Sequence, residues 1–517
     1  MPRAKKIWKD TADIPANNQF VMSYPLDVMF DLWPKWGFGD YLKEYFTYFK
    51  GNFSQMVYPA DEFDRQAEFL ANKMIAKPLW AIKVIKQVTW FADQSMRQLG
   101  RIPALPLAKY SNSQLIKLLN NTRRYHSLHH GLGAGVSWHA DADKERVTKA
   151  IMSAVEQRLK PSKLSRPLVE IFSLLTTPMK ESFLQKEEKR FLEIAAIIQS
   201  HYKLKNVFIQ SDLEALNNQL KQLDPEIYRR IVNFYKTYSP FTYQYCGPAF
   251  PLSDYLGRFQ AFLRDGSSAK KQLLIQKKDL LMQLKDHRQL ISRLKFNRHE
   301  KNLIKMAQEL VYVKDYRKNA LYFGMYCYEK LFKEIGRRYG LSVLQIQYML
   351  PAEIIDLLKK GKSNADLLNQ RIKESVNYWR KRHGRTLNEV YIGPKMKKFL
   401  KGIRWQKFKK SVKELKGTCA YPGKVRGMVK IVNLTSDMIK MEKGNIMVAH
   451  NTYPNLVPAM RKAAALVGAA GGLTCHTAIV AREMKIPCIV GVTGCDSVLK
   501  DGDRIEVDAN QGIVRKI

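Results

Sequence analysis

No long apolar run occurs in this 517-residue chain, and no stretch approaches the ~18 residues that a membrane span needs. Met1-Pro2-Arg3-Ala4-Lys5-Lys6 leads into polar sequence and not into the apolar segment of a secretory signal. The expectation is a chain with no membrane association. Cysteine is scarce: the six residues Cys246, Cys327, Cys419, Cys475, Cys488 and Cys495 are scattered and form no CxxC pair. That pattern excludes a disulfide framework and predicts reduced thiols in a cytoplasmic protein. The glycine run from Gly131 to Gly135 has neither the GxGxxG nor the GxxxxGK[ST] spacing of a nucleotide loop. His126 and His130 are four residues apart, the spacing of a shared helix face. No acidic residue completes an HExxH pattern, so both are read as structural and no metal site is expected. Acidic residues are also in deficit, with 47 Asp and Glu against 87 Lys and Arg, a net charge of +40.

The remaining composition, 45% hydrophobic and 26% charged, is that of a globular protein with room for two to four domains. From Gly417 onward there are 13 basic and 8 acidic residues, a balance of +5, so the preceding residues carry +35. Such an excess is read either as a surface that attracts polyanions without sequence preference or as an ordinary lysine-rich exterior. No nucleic-acid-binding motif accompanies it. The first ~120 residues are dense in aromatics, from Trp8 through Trp33 and Phe49, and prolines interrupt them. Loops and short helices are expected here, followed by longer helices over 61–73 and 79–98. The aromatics are read as core, or alternatively as the lining of a pocket. Residues 111–170 read as helical, interrupted at the glycine run. Apolar residues at three- and four-residue steps predict long helices over 269–294 and 299–339, with Gly340 as the stop. Arg317, Lys318, Arg337 and Arg338 lie on the second of these. They are candidates to contact a phosphate or acceptor, or simply part of a solvated face.

The lysine-dense stretch 395–416 is read as a basic hinge between a mainly helical region, residues 1–394, and a small domain, residues 417–517. The larger region divides near 250 into two subdomains. In the small domain the sequence predicts strands over 424–432, 445–449, 465–467, 488–490, 504–508 and 512–515, with helices over 455–462 and 475–484. At its centre stands Gly471-Gly472-Leu473-Thr474-Cys475-His476-Thr477-Ala478. Thr474 suits an N-cap, whose hydroxyl accepts a bond from a free N–H of the helix's first turn. His476 then falls in that turn, where outward-pointing N–H groups and the helix dipole favour a phosphate. The paired glycines leave room for a bulky anion.

Residues 471–491, GGLTCHTAIVAREMKIPCIVG, closely resemble the phosphohistidine signature of the phosphoenolpyruvate-utilising enzymes: phosphoenolpyruvate synthase, pyruvate phosphate dikinase and rifampicin phosphotransferase. The resemblance extends upstream through 444–449 and 452–460 and downstream through 501–508. A fainter likeness, over 314–358, is to the helical segment that precedes this domain in rifampicin phosphotransferase and synthase relatives. The resemblance implies a swivelling β/β/α domain in which His476 is phosphorylated and then passes the phosphoryl group on. It also implies a phosphate pocket of Gly471, Gly472, Thr474, Cys475 and Arg482, with Cys475 in a packing or positioning role.

One departure stands out: the family usually carries Thr with Asp or Asn shortly before the double glycine, where this chain has Val467-Gly468-Ala469-Ala470. Nothing resembles the family's ATP-grasp domain, and about forty residues follow His476, too few for a TIM barrel. The expectation is the carrier and acceptor-binding component of a split phosphotransferase. A separate ATP-grasp protein would hold ATP and Mg²⁺, and a small-molecule hydroxyl would accept the phosphoryl group. The competing expectation is a catalytically silent basic protein that binds nucleic acid or an acidic partner.

Overall fold

A computed structural model describes the chain apart from residues 1–5, 16, 52, 141, 143–144, 163, 165, 383–384, 407–413, 451, 453–455, 470 and 474. Among the described residues the architecture is multidomain: a mostly helical region that wraps one sheet, then a carboxy-terminal β/β/α domain. The spine is the 42-residue helix Arg298–Tyr339, about 63 Å long at 1.5 Å per residue. The side chain of Asn297 accepts a bond from the Glu300 N–H and Glu300 reaches back, forming a capping box. Gly340 closes the helix at φ 66°, a conformation that costs glycine little. The helices Pro78–Leu99 and Asn112–His139 pack along it.

The second of these runs unbroken through the glycine run, contrary to the expected interruption. Close packing is the reason. A Cβ at Gly131 would lie 2.5 Å from Val28 Cβ, at Gly133 2.4 Å from Arg317 Cδ, and at Gly135 2.4 Å from Phe38 Cε1. The glycines let three neighbours approach a buried helix, and tertiary contact outweighs their poor helix propensity.

The aromatic amino-terminal segment forms the helices Gln19–Asp31 and Trp33–Trp36, in line with the short helices expected, and three strands that were not expected. They are β1 (Ile7–Pro15), β2 (Glu44–Lys50) and β3 (Phe53–Pro59). Distant sequence completes their sheet as β4 (Glu374–Arg382), β5 (Arg385–Tyr391) and β6 (Arg404–Trp405), in the order β5-β4-β2-β3-β1-β6. One face buries Tyr45, Phe49, Met56 and Tyr58 in the main core, and the other buries Trp8, Phe46, Val57 and Val376. Met396, Phe399 and Leu400, from the helix Gly393–Lys401, cover that second face. Much of the expected hinge is therefore packed structure, and its residues 407–413 lie outside the described set. A separate apolar cluster spans Phe191 to Ala269.

The carboxy-terminal sheet comprises β7 (Glu414–Lys416), β8 (Thr418–Tyr421), β9 (Lys424–Ile431), β10 (Ile446–Ala449), β11 (Ala465–Gly468), β12 (Cys488–Val490), β13 (Arg504–Asp508) and β14 (Ile513–Lys516). Their order is β7-β14-β13-β9-β10-β11-β12-β8, and β9 to β12 are parallel. Among the described residues no helix is long and apolar enough to cross a membrane.

Candidate functional site

The site forms at the carboxyl ends of the parallel strands, where open α/β sheets place ligands. Strands β10 and β11 are fully buried and run side by side in register, Ala449 opposite Gly468. The segments that leave them therefore start together, and the Ala469 N–H donates to the Ala449 carbonyl at 2.9 Å. After β10 the chain presents His450 and Thr452. After β11 it turns through Gly471 and Gly472 into the helix His476–Met484. Gly471 has φ 89°, and a Cβ there would lie 2.6 Å from Cys475 Cβ, so glycine is required twice over. Leu473 is buried and anchors the loop. The N-cap falls on Cys475, one residue beyond the expected cap; Thr474 lies outside the described residues.

His476 occupies the first helical position and is half-buried. Its Nδ1 lies 2.7 Å from Thr452 Oγ1, which lies 3.0 Å from Thr477 Oγ1. If Nδ1–H donates to Thr452 and Thr452 donates to Thr477, every group in the chain is satisfied and Nε2 keeps its lone pair. Burial, with a smaller contribution from Lys318, lowers the imidazole to about 3, so the ring is neutral at pH 7. A neutral ring with one nitrogen anchored and the other nucleophilic can take up a phosphoryl group. Thr452 is not marked by the local sequence as the partner of this histidine. It supplies the polar anchor whose absence from 467–470 marks the chain's departure from the family pattern. Its signal was its position just past a strand end, but pairing it with His476 requires the sheet register.

The ring lines a cavity of about 2050 Å³ between this domain and the helical region. Gly471, Gly472, Cys475, Thr477 and Arg482 line it too, as do Arg317 and Lys318 from the middle of the long helix. Arg482 Nη1 donates to the Leu473 carbonyl at 2.8 Å and braces the loop. Burial raises the Cys475 thiol, which therefore stays protonated and is a poor nucleophile. Lys318 is lowered to about 7, chiefly by burial and then by Arg317. Glu483 is exposed at the cavity wall, and desolvation by the protein around it, with Asp315 adding to it, raises its carboxyl to about 7. His450 Nδ1 pairs with Asp496 Oδ2 at 2.8 Å on the same wall.

Arg337 and Arg338 are elsewhere. They lie about 30 Å further along the long helix, at 1.5 Å per residue, and neither lines the cavity. Arg337 pairs with Glu334. Arg338 bonds Glu334, Asn112 and the carbonyls of Leu107 and Tyr110, a staple between helix end and loop. His126, His129, His130 and His139 are buried along the Asn112–His139 helix, and only His130 reaches the cavity. Among the described residues no group of three or more His, Cys, Asp or Glu is placed to hold a metal ion. Among the described residues the early aromatics such as Trp8, Phe20, Trp33, Tyr45 and Phe49 pack in the cores, and Phe63 also lines the cavity.

The fold and the placement of His476 define a small β/β/α domain that presents one anchored, neutral imidazole at a helix start. Residues 441–512 match the family described as the PEP-utilising enzyme, mobile domain, and the carboxy-terminal domain belongs to it. The probable phosphoenolpyruvate synthase of Archaeoglobus fulgidus is 47% identical over 100 residues, 19% of this chain and 13% of that protein. The phosphoenolpyruvate synthase of Pyrococcus furiosus is 44% identical over 102 residues, 20% of this chain and 12% of that one. That of Escherichia coli is 41% identical over 86 residues, 17% and 11% respectively. The likeness thus spans only about an eighth of these curated relatives and is confined to one domain of this chain. Among solved structures, the aconitase X of Thermococcus kodakaraensis (holo-form) matches over 20% of this chain and 98% of its own, at 22% identity. Its TM-score of 0.17 supports no conclusion about this chain.

Proposed function

We propose that this protein is the phosphoryl-carrier and acceptor-binding component of a dikinase-like, cytoplasmic phosphotransferase. A separate ATP-grasp protein supplies ATP. In this reading the partner holds the nucleotide's Mg²⁺ as well. His476 Nε2 attacks the β-phosphorus of ATP, and the bond to the α-phosphate oxygen breaks, releasing AMP. Water then attacks the γ-phosphorus of the pyrophosphoryl group, releasing inorganic phosphate and leaving phospho-His476. The domain then turns relative to the helical region and returns the histidine to the cavity. There an acceptor hydroxyl attacks phosphorus, the P–N bond breaks, and the hydroxyl proton passes to solvent or a nearby base as neutral imidazole is restored. Gly471, Gly472 and the first-turn N–H groups cradle the phosphate.

The observation that carries this reading is the 2.7 Å pairing of Thr452 with Nδ1 of a neutral His476 on the wall of a large cavity. The test is incubation with γ- and β-labelled ATP and the cognate ATP-grasp protein. An acid-labile, base-stable β-label on His476 is expected. Absence of that label, or equal labelling of His476→Ala, would overturn the reading.

A further inference from the structure

Among the described residues Arg317 is a buried cation without a counter-ion. It is 7% exposed, yet its one hydrogen bond is from Nε to Ser137 Oγ at 3.2 Å, and it forms no ion pair. Its two terminal nitrogens bond to no group among the described residues, and Arg317 lines the cavity that His476 also lines. Burial draws the guanidinium down to about 10, against which Tyr245 and Tyr322 favour its charge, and Arg317 in turn acts on His129 and His130. The fold makes room for it: a Cβ at Gly133 would lie 2.4 Å from Arg317 Cδ. An enclosed charge with no partner is destabilising, because desolvation is not offset by pairing. Such a group persists at a site where a ligand supplies the missing charge. The fork of a guanidinium matches the two oxygens of a carboxylate or phosphate. Lys318, the next residue, acts electrostatically on both Arg317 and His476, and so places the two within one field.

We propose that Arg317 is the anion-recognition residue of the acceptor subsite, so that the acceptor is an anionic hydroxyl compound held by its carboxylate or phosphate group while its hydroxyl faces His476. This rests on the carrier reading for the word acceptor, whereas the anion site stands on its own geometry. The two sources of the anion are separable with inorganic phosphate and malonate as probes. The experiment is calorimetric titration and thermal melting of the full chain as wild type, Arg317→Met, Arg317→Lys and His476→Ala.

One or both anions should bind wild type and raise its melting temperature, and His476→Ala should respond alike. Response to phosphate alone identifies a phosphate ester, and response to malonate alone a carboxylate. Arg317→Met should melt at or above wild type in ligand-free buffer, because an unpaired buried cation is gone. It should lose roughly tenfold or more in affinity, the loss expected for a charge-assisted bidentate pair. Arg317→Lys keeps the charge without the fork and should bind between the two; it decides the matter if the Met variant folds poorly. The proposal is overturned if neither anion binds wild type, or if Arg317→Met binds as tightly. Anion binding through Arg317 with an unlabelled His476 keeps the subsite and removes the carrier reading. Labelling of His476 with anion binding indifferent to Arg317 does the reverse.

Discussion

Replacing Thr452 by valine is the sharpest perturbation of the site, because it exchanges one hydroxyl for a methyl group of similar size. In the structure that hydroxyl lies 2.7 Å from His476 Nδ1 and 3.0 Å from Thr477 Oγ1. Valine offers neither a donor nor an acceptor, so both groups lose their partner in a half-closed site. Leaving a buried polar group unsatisfied costs ~1–3 kcal/mol. Here the larger consequence is the tautomer. Without an acceptor at Nδ1 the proton is no longer held there, and Nε2 is protonated for part of the time. Losing 1.4–2.7 kcal/mol of preference corresponds to a ~10- to 100-fold slower reaction at Nε2.

Phosphoramidate, a small chemical donor, removes any dependence on a partner protein. Phosphorus NMR then reports both the rate and the nitrogen modified. Wild type should give the Nε2 phosphohistidine. Thr452→Val should be ~10- to 100-fold slower, with Nδ1 product appearing, and Thr452→Ser should restore both rate and position. A Thr452→Val protein that reacts within twofold of wild type, at the same nitrogen, refutes the assignment of Thr452 as the positioning residue.

Three further outcomes follow from the same geometry. Gly471→Ala forces a side chain into φ 89° and against Cys475 at 2.6 Å, so the carboxy-terminal domain should lose ~2 kcal/mol or more, read as a lower melting transition by calorimetry. His126 and His139, held near 3 and near 4 by burial, stay neutral when folded, whereas unfolded histidine titrates at 6.5. Stability is therefore full above pH 6.5 and falls as pH drops toward those folded values. At pH 5 each should have withdrawn ~2 kcal/mol at 1.36 kcal/mol per unit, and a urea midpoint unchanged between pH 7 and pH 5 would contradict this. Lys318, lowered to about 7 beside Arg317, Asp315, Cys475 and His476, gains its proton as pH falls. Inorganic phosphate in the cavity should therefore bind more weakly as pH rises through 7, and Lys318→Met should flatten that titration.

The carboxy-terminal strands were readable because each is a short apolar run between turn residues. Ala465-Leu466-Val467 before Gly468 and Cys488-Ile489-Val490 before Gly491 both delimit themselves. The edge strands β7 and β8 carry no such signature; Glu414-Leu415-Lys416 is a strand only because β14 pairs with it. The amino-terminal sheet was hidden for a different reason. Tyr45, Phe46 and Phe49 are apolar on both faces of β2, so the period of two is lost, and β2's partner β4 lies more than three hundred residues away. His476 was legible from its local sequence. Thr452 was not, since only the register of β10 on β11 brings it back across 24 residues of chain. Arg337 and Arg338 misled in the opposite sense: a basic pair at a helix end is equally suited to bonding carbonyls and Glu334, which is what it does.

The net charge of +40 and the cavity are separate physical objects. As many acidic as basic side chains line the cavity. The excess therefore lies outside it, on faces such as Lys270, Lys271, Lys278 and Lys285 of the helix Ala269–Arg293 and Lys395, Lys397 and Lys398 of the helix Gly393–Lys401, all exposed. Exposed charges are screened beyond ~8 Å at physiological salt, so polyanion attraction at these faces must weaken steeply as salt rises. Anion binding at Arg317 is enclosed and held by directed donors, so its salt dependence is shallow. The carrier and polyanion readings thus occupy different surfaces of one molecule, and neither property, once measured, counts against the other. What distinguishes them is whether binding survives high salt and fails with Arg317, or fails with salt and ignores both Arg317 and His476.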